Sequence, residues 1–159
     1  MQIIFNEDEP VNEMKLLFER AAELALDREG ISCEGLEVSL SYVSSGEMER
    51  LNNQYRGKEG PTDVLSFPMY EGAEEARKAA AEAAADGAAP VLLGDVVLCR
   101  EVAEQQARSL GHSAGREMLY LFVHSMFHLL GYDHEGPDGG RRVMRDAEED
   151  VLRGLGEVL

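Results

Sequence analysis

A chain of 159 residues, 44% hydrophobic and 29% charged, has the length and composition of one globular domain with a substantial core. Its formal net charge of -16 excludes a surface that grips nucleic-acid phosphates all over, and leaves room only for a local basic patch. The 2 cysteines, Cys33 and Cys99, lie outside any CxxC pair, and no apolar run is long enough to span a bilayer. The opening MQIIFNEDEP lacks a basic stretch leading into a long apolar run, so a reduced, cytoplasmic protein without an export signal is expected.

In chain order, Gln2 to Asn6 reads as a short strand around Ile3, Ile4 and Phe5. Asp8 and Pro10 open a helix that carries Met14, Leu17, Phe18, Ala21, Leu24 and Ala25 at helical spacing, with Gly30 just past its end. Leu36, Val38, Leu40 and Tyr42 alternate, the pattern of a strand with one apolar face. Ser44 with Glu47 makes a capping box for a short helix through Met48, Leu51 and Tyr55 that ends near Gly57. Val64 to Met69 is a further strand, and Pro68, lacking an N–H, places it at an edge or ends it.

Glu71 to Pro90 shifts to alanine, glutamate and glycine. It reads as an exposed, flexible insertion at 71–90, helical in part through alanine's propensity, contributing little to the core and tolerant of trimming between Glu74 and Gly87. Gly94 to Cys99 returns to strand, and Glu101 to Leu110 is a helix closed by Gly111. A final helix runs from about Asp138 to Arg153, with Val143, Met144, Ala147 and Val151 facing inward. Helices interleave with four strands, so the class is α/β or α+β. The expected architecture is a single domain over 1–159: a small mixed four-stranded sheet covered by about five helices. The link from Val64–Met69 to Gly94–Cys99 lacks a convincing packed crossover helix, which predicts at least one antiparallel pair.

The chemistry concentrates in LYLFVHSMFHLLGYDHE, Leu119 to Glu135. His124 and His128 stand four apart in an unbroken apolar run, on a buried helix, which puts the imidazoles roughly 40° apart on one face and one turn apart. Gly131 stops the helix, and His134 follows three residues later, where it can supply a third nitrogen. Three protein ligands with one open position describe a catalytic zinc site rather than a closed structural one. A pair of histidines at this spacing is more often ordinary core, but three of the chain's 4 histidines fall within eleven positions beside a helix-breaking glycine. His112 stands apart, as a cap or packing residue.

The spacing His-x3-His-x2-Gly-x2-His is also that of metzincin proteases, which carry a glutamate base directly after the first histidine. Ser125 stands there instead, and an ordinary hydroxyl cannot accept a proton near neutrality, so a metallopeptidase-like hydrolase is the weaker reading. YRGKEGPTD, Tyr55 to Asp63, is a glycine-punctuated loop with two cations in an acidic protein. Alone it reads as a solvated loop. Beside a hydrolytic metal, Arg56 and Lys58 make a phosphodiester the more natural substrate. A non-catalytic, metal-stabilised ribosome-binding factor is the third reading.

Together HSMFHLLGYDHE, YRGKEGPTDVLSFP and GDVVL resemble the YbeY family of bacterial rRNA maturation factors, with Met144 and Glu148 suiting that family's final helix. The resemblance implies a zinc-dependent, single-strand-specific endoribonuclease holding one Zn2+ per chain through His124, His128 and His134. It implies that Arg56 is the functional arginine beside the metal cleft. Its implied partners are single-stranded RNA, ribosomal RNA and the small ribosomal subunit, with no membrane and no DNA. The implied role is 16S rRNA 3′-end maturation and ribosome quality control. Ser125 replaces the family's usual glycine, and 71–90 is longer than the usual connection. The general base stays open: Glu117, seven residues before His124, and Asp133 and Asp95 are candidates to orient a ligand histidine or to act as base.

Overall fold

The structure, a computed structural model, describes residues 2–5, 10, 12–133 and 140–156. In chain order these form β1 (Gln2–Phe5), α1 (Asn12–Arg28), a 3-10 turn (Cys33–Gly35), β2 (Leu36–Val43), α2 (Ser45–Arg56), β3 (Val64–Pro68), α3 (Ala73–Ala85), β4 (Val91–Cys99), α4 (Arg100–Leu110), α5 (Ala114–Leu129) and α6 (Gly140–Leu155). The sheet order is β1-β2-β4-β3, with β1, β2 and β4 parallel and β3 antiparallel to β4. The expected α+β architecture with a mixed four-stranded sheet is therefore what the chain adopts, Pro68 ending the edge strand β3. None of the described helices is long and apolar enough to cross a membrane.

Alternation along the strands assigns the two faces of the sheet. Leu36, Val38, Leu40, Val96 and Leu98 point into the main core, with α1 and α5 packed over the sheet and α6 packed on those two helices. Phe18 of α1 and Phe122 of α5 meet there edge to face, 5.0 Å between ring centres. Leu65, Val97 and Cys99 point the other way and pack with Met48 of α2. The central element is α5, which touches α1, α4, α6, β3 and β4. Its own sequence explains this: ten of its side chains are buried, so it is apolar on most of its circumference.

Two contacts seat α5 on the sheet. The hydroxyls of Ser125 and Ser66 of β3 lie 2.5 Å apart, and Leu129 packs over Gly94 of β4. A Cβ at Gly94 would stand 2.6 Å from the Phe67 carbonyl oxygen and 2.7 Å from Leu129, so the absence of a side chain sets how closely helix and strand approach.

Three expectations change. Val143 is exposed, and α6 buries Met144, Ala147, Val151 and Leu155 instead. β4 begins at Val91, three residues earlier than the apolar run suggests. The third concerns 71–90, expected to add little to the core. Its helix α3 buries Ala76, Ala80 and Ala83 and closes over the 3-10 turn, where a Cβ on Gly35 would meet the Ala80 backbone oxygen at 2.1 Å. Alanine has too little bulk to register as a core former in sequence, yet small side chains are what let two backbones approach this closely.

The expected effect of trimming Glu74 to Gly87 therefore reverses. Removing the three buried alanines and baring the surface they cover costs about 2–3 kcal/mol, which lowers Tm by roughly 5–10 °C in a domain of this size. Calorimetry on the shortened chain checks it, and an unchanged Tm would return the segment to a dispensable loop.

Candidate active site

A cleft of about 780 Å³ lies between the C-terminus of α2, the outer edge of β3 and the exposed side of α5. Its walls bring together Arg56, Asp63, Tyr120, His124, His128 and Asp133. Two predicted motifs 68 residues apart in sequence, at Arg56 and His124, thus meet in one space.

The histidines are held at their outer nitrogens. His124 Nδ1 lies 2.5 Å from Glu148 Oε2 of α6, a carboxylate that is 4% exposed. His128 Nδ1 lies 3.1 Å from the Tyr132 carbonyl oxygen. Both partners can only accept, so both Nδ1 atoms carry the proton and both Nε2 atoms present lone pairs. Those Nε2 atoms face each other at 3.1 Å. At that separation the two nitrogens either share a proton or hold a metal cation between them.

The helix stop supplies one of these holds. Gly131 takes φ 92°, its N–H bonds the His128 carbonyl at 3.0 Å, and the Tyr132 N–H bonds the Phe127 carbonyl at 2.9 Å. This is a Schellman ending, completed by the Tyr132 ring on Phe127 with centres 5.1 Å apart. The Tyr132 hydroxyl accepts from Arg28 Nη1 at 3.3 Å. Fixed at ring and hydroxyl, Tyr132 aims its carbonyl back at His128. The glycine that ends the helix therefore also orients a site residue.

The donor set fits zinc. Nitrogens 2.0–2.1 Å from a tetrahedral zinc lie roughly 3.3 Å apart, and a carboxylate or carbonyl on the far ring nitrogen is the usual support of a ligand histidine. Two nitrogens of the set stand among the described residues, where no group of three or more His, Cys, Asp or Glu assembles as a metal site. His134, the expected third ligand, lies outside the described residues.

Arg56 is the last residue of α2, which opens with the Ser44 hydroxyl accepting from the Glu47 N–H at 3.2 Å and stops at Gly57, φ 63°. Asn52, 3% exposed, donates to the Gly60 carbonyl at 2.9 Å and ties the following loop down. Among the described residues the exposed Arg56 guanidinium makes no hydrogen bond or ion pair. It faces the cleft ready for an anion. Asp63 is committed otherwise: Oδ1 accepts from the Val64 N–H at 2.8 Å and Oδ2 from Gln106 at 3.2 Å. Burial raises the pKa of the Tyr120 hydroxyl, and the nearby Glu148 carboxylate adds to the rise, so a neutral phenol stands at the cleft wall.

Of the three expected supporting acids, only Asp133 lines the cleft. Glu117 is buried two turns before His124 and bonds His112 Nε2 at 3.0 Å. Asp95 alternates with Val96 and so points to the face of the sheet away from α5. The acid that does reach a histidine is Glu148. Its sequence signal was a glutamate within the apolar stripe Met144, Ala147, Val151 and Leu155 of α6. Ser125, fully buried against Ser66, faces the sheet and not the cleft.

Fold and site thus define an α+β domain whose central helix presents an oriented histidine pair to a cleft along an edge strand, opposite an arginine. A family profile described as Endoribonuclease YbeY matches residues 2–156, and the chain belongs to that family. It is 48% identical over 136 residues to the endoribonuclease YbeY of Pelotomaculum thermopropionicum, covering 86% of this chain and 82% of that one. The Caldanaerobacter subterraneus subsp. tengcongensis and Thermoanaerobacter sp. proteins of the same name are 44% and 40% identical, covering 90% and 96% of this chain and 88% and 96% of theirs. The solution structure of TM1509 from Thermotoga maritima superposes with a TM-score of 0.65 at 26% identity, over 98% of this chain and 89% of that one.

Proposed function

We propose that this chain is a cytoplasmic, zinc-dependent endoribonuclease that cuts single strands, acting in 16S rRNA 3′-end maturation and in ribosome quality control. The observation that carries the hydrolytic part is the pair of Nε2 atoms facing each other at 3.1 Å, each imidazole locked at Nδ1. RNA as substrate is supported by the names of the relatives and by Arg56 in the same cleft. The ribosomal role rests on the family resemblance.

His124, His128 and His134 would hold the zinc, which supplies a Lewis acid for a phosphodiester oxygen when bound. The chain's own residues do the rest. Glu148 and the Tyr132 carbonyl keep both ligand rings in the Nδ1-protonated tautomer. Arg56 takes a non-bridging phosphate oxygen through its guanidinium fork and stabilises the charge that grows there. Asp133, exposed at the cleft, is the carboxylate placed to take a proton from the attacking water as the phosphorus–oxygen bond to the leaving ribose oxygen breaks, that oxygen taking a proton from solvent. A cleft of about 780 Å³ is on the scale of a small-ligand site, so a few unpaired nucleotides enter where a duplex does not.

The metallopeptidase reading lacks its base, because Ser125 is buried and bonded to Ser66. The binding-factor reading separates by experiment. Single-stranded and duplex RNA of one sequence are offered to the protein with and without chelator. The single strand should be cut, the duplex should survive, and chelation followed by zinc should stop and restore cleavage. Tight RNA binding with no cleavage in any arm would favour the binding factor.

A further inference from the structure

The ridge of α5 that carries the histidine pair continues toward the start of the helix. Arg116, Tyr120, His124 and His128 succeed one another four residues apart, each step about 6 Å along the axis. Beyond Tyr120, between the start of α5 and the end of α6, lies a second cavity of about 720 Å³. His112, Arg116, Tyr120, Leu152 and Arg153 line it. Tyr120 is the wall shared by the two spaces, 39% exposed, its ring stacked at 22° to that of His124 with centres 6.3 Å apart.

The protein carries 15 Lys and Arg against 31 Asp and Glu, yet two arginines open into this one space. The Arg116 guanidinium makes no hydrogen bond or ion pair among the described residues. Arg153 pairs with Asp150, a carboxylate already shared with Arg28. Glu149 is the acid at the rim, with Arg145 beside it at 3.6 Å. The back wall is fixed, since His112 is bonded to the buried Glu117 carboxylate. An aromatic face, an apolar floor at Leu152 and two guanidinium groups are what a nucleotide needs: a ring to stack on and cations for its phosphate.

We propose that this second cavity is a subsite for a nucleotide flanking the scissile phosphate. Single-stranded RNA leaving the cleft crosses Tyr120, stacks a base on it and sets the next phosphate between Arg116 and Arg153. The inference rests on the ribonuclease reading above and adds to it a one-sided requirement for substrate length.

RNA binding can be read without cleavage in the His128→Ala protein, by fluorescence anisotropy of a labelled single strand across a salt series. Adding Arg116→Gln and Arg153→Gln should make the slope of log affinity against log salt shallower by about 0.7, the contribution of the one phosphate the two arginines share. Tyr120→Ala should weaken binding roughly 5- to 150-fold, the worth of one stacked base. In the otherwise native enzyme, single-turnover cleavage should quicken as the substrate is extended on one side, and the double arginine variant should lose that gain. Arg116 and Arg153 are exposed, so the melting temperature of the double arginine variant should stay close to the parent's. Unchanged affinity and salt slope in the arginine variant would overturn the subsite, even if the native protein cleaves RNA. A native protein that cuts no RNA, while the arginine variant still shows the shallower slope, would instead overturn the nuclease reading.

Discussion

Arg56→Glu should cleave single-stranded RNA about 10²–10³-fold more slowly while keeping its metal and its fold. The guanidinium is exposed at the end of α2, and the helix stop there is made by Gly57 and Asn52, so stability does not depend on the arginine side chain. What it offers is a charge-assisted donor pointing into the cleft of His124 and His128. Removing one donor from a site of developing negative charge costs about 2.7–4 kcal/mol at the barrier. A glutamate in its place adds repulsion toward the phosphate. Arg56→Lys should recover only part, because an ammonium cannot reproduce the two-pronged contact. Single-turnover rates on zinc-matched proteins decide it. Equal rates for Arg56→Glu and the native chain would reduce the arginine to a solvated residue.

Glu148→Ala should weaken zinc binding about 10- to 100-fold, the usual cost of removing the group that orients a ligand histidine. The carboxylate lies 2.5 Å from His124 Nδ1 and is 4% exposed, so no water replaces it easily and the ring is free to turn or change tautomer. Glu148→Gln should fall between, since the amide oxygen still accepts from Nδ1–H but carries no charge. Glu117→Gln provides the contrast: its partner is His112, and zinc affinity should not move. Competition against a chromophoric chelator measures all three. Identical affinity in Glu148→Ala would break the link between α6 and the site.

The parts of this molecule that were legible in sequence are those decided within a few residues. The four-residue histidine spacing, the Gly131 stop and the Ser44 cap are local, and each stands where the residues indicated. The parts that were not legible depend on packing between distant elements. Glu148 meets His124 across 24 positions, and only the burial of α6 against α5 joins them. Glu117 looked close to His124 because seven residues return to the same face, but two turns of helix separate them along the axis, and His112 is nearer. Asp95 was misplaced because the residues after it, Val96 to Cys99, are apolar on both sides of the strand, so no alternation marked which face the carboxylate takes. The alanines of α3 gave no signal of burial because burial there follows from the bare backbone at Gly35.

The two converging Nε2 atoms of His124 and His128 are the proposed zinc site. Its most direct test is the metal content of the purified protein by elemental analysis, native chain beside His128→Ala and His112→Ala. One zinc per chain in the native and His112→Ala proteins, with most of it gone from His128→Ala, is the expected result. Stoichiometric zinc in His128→Ala, or none in the native chain after reconstitution, would contradict it.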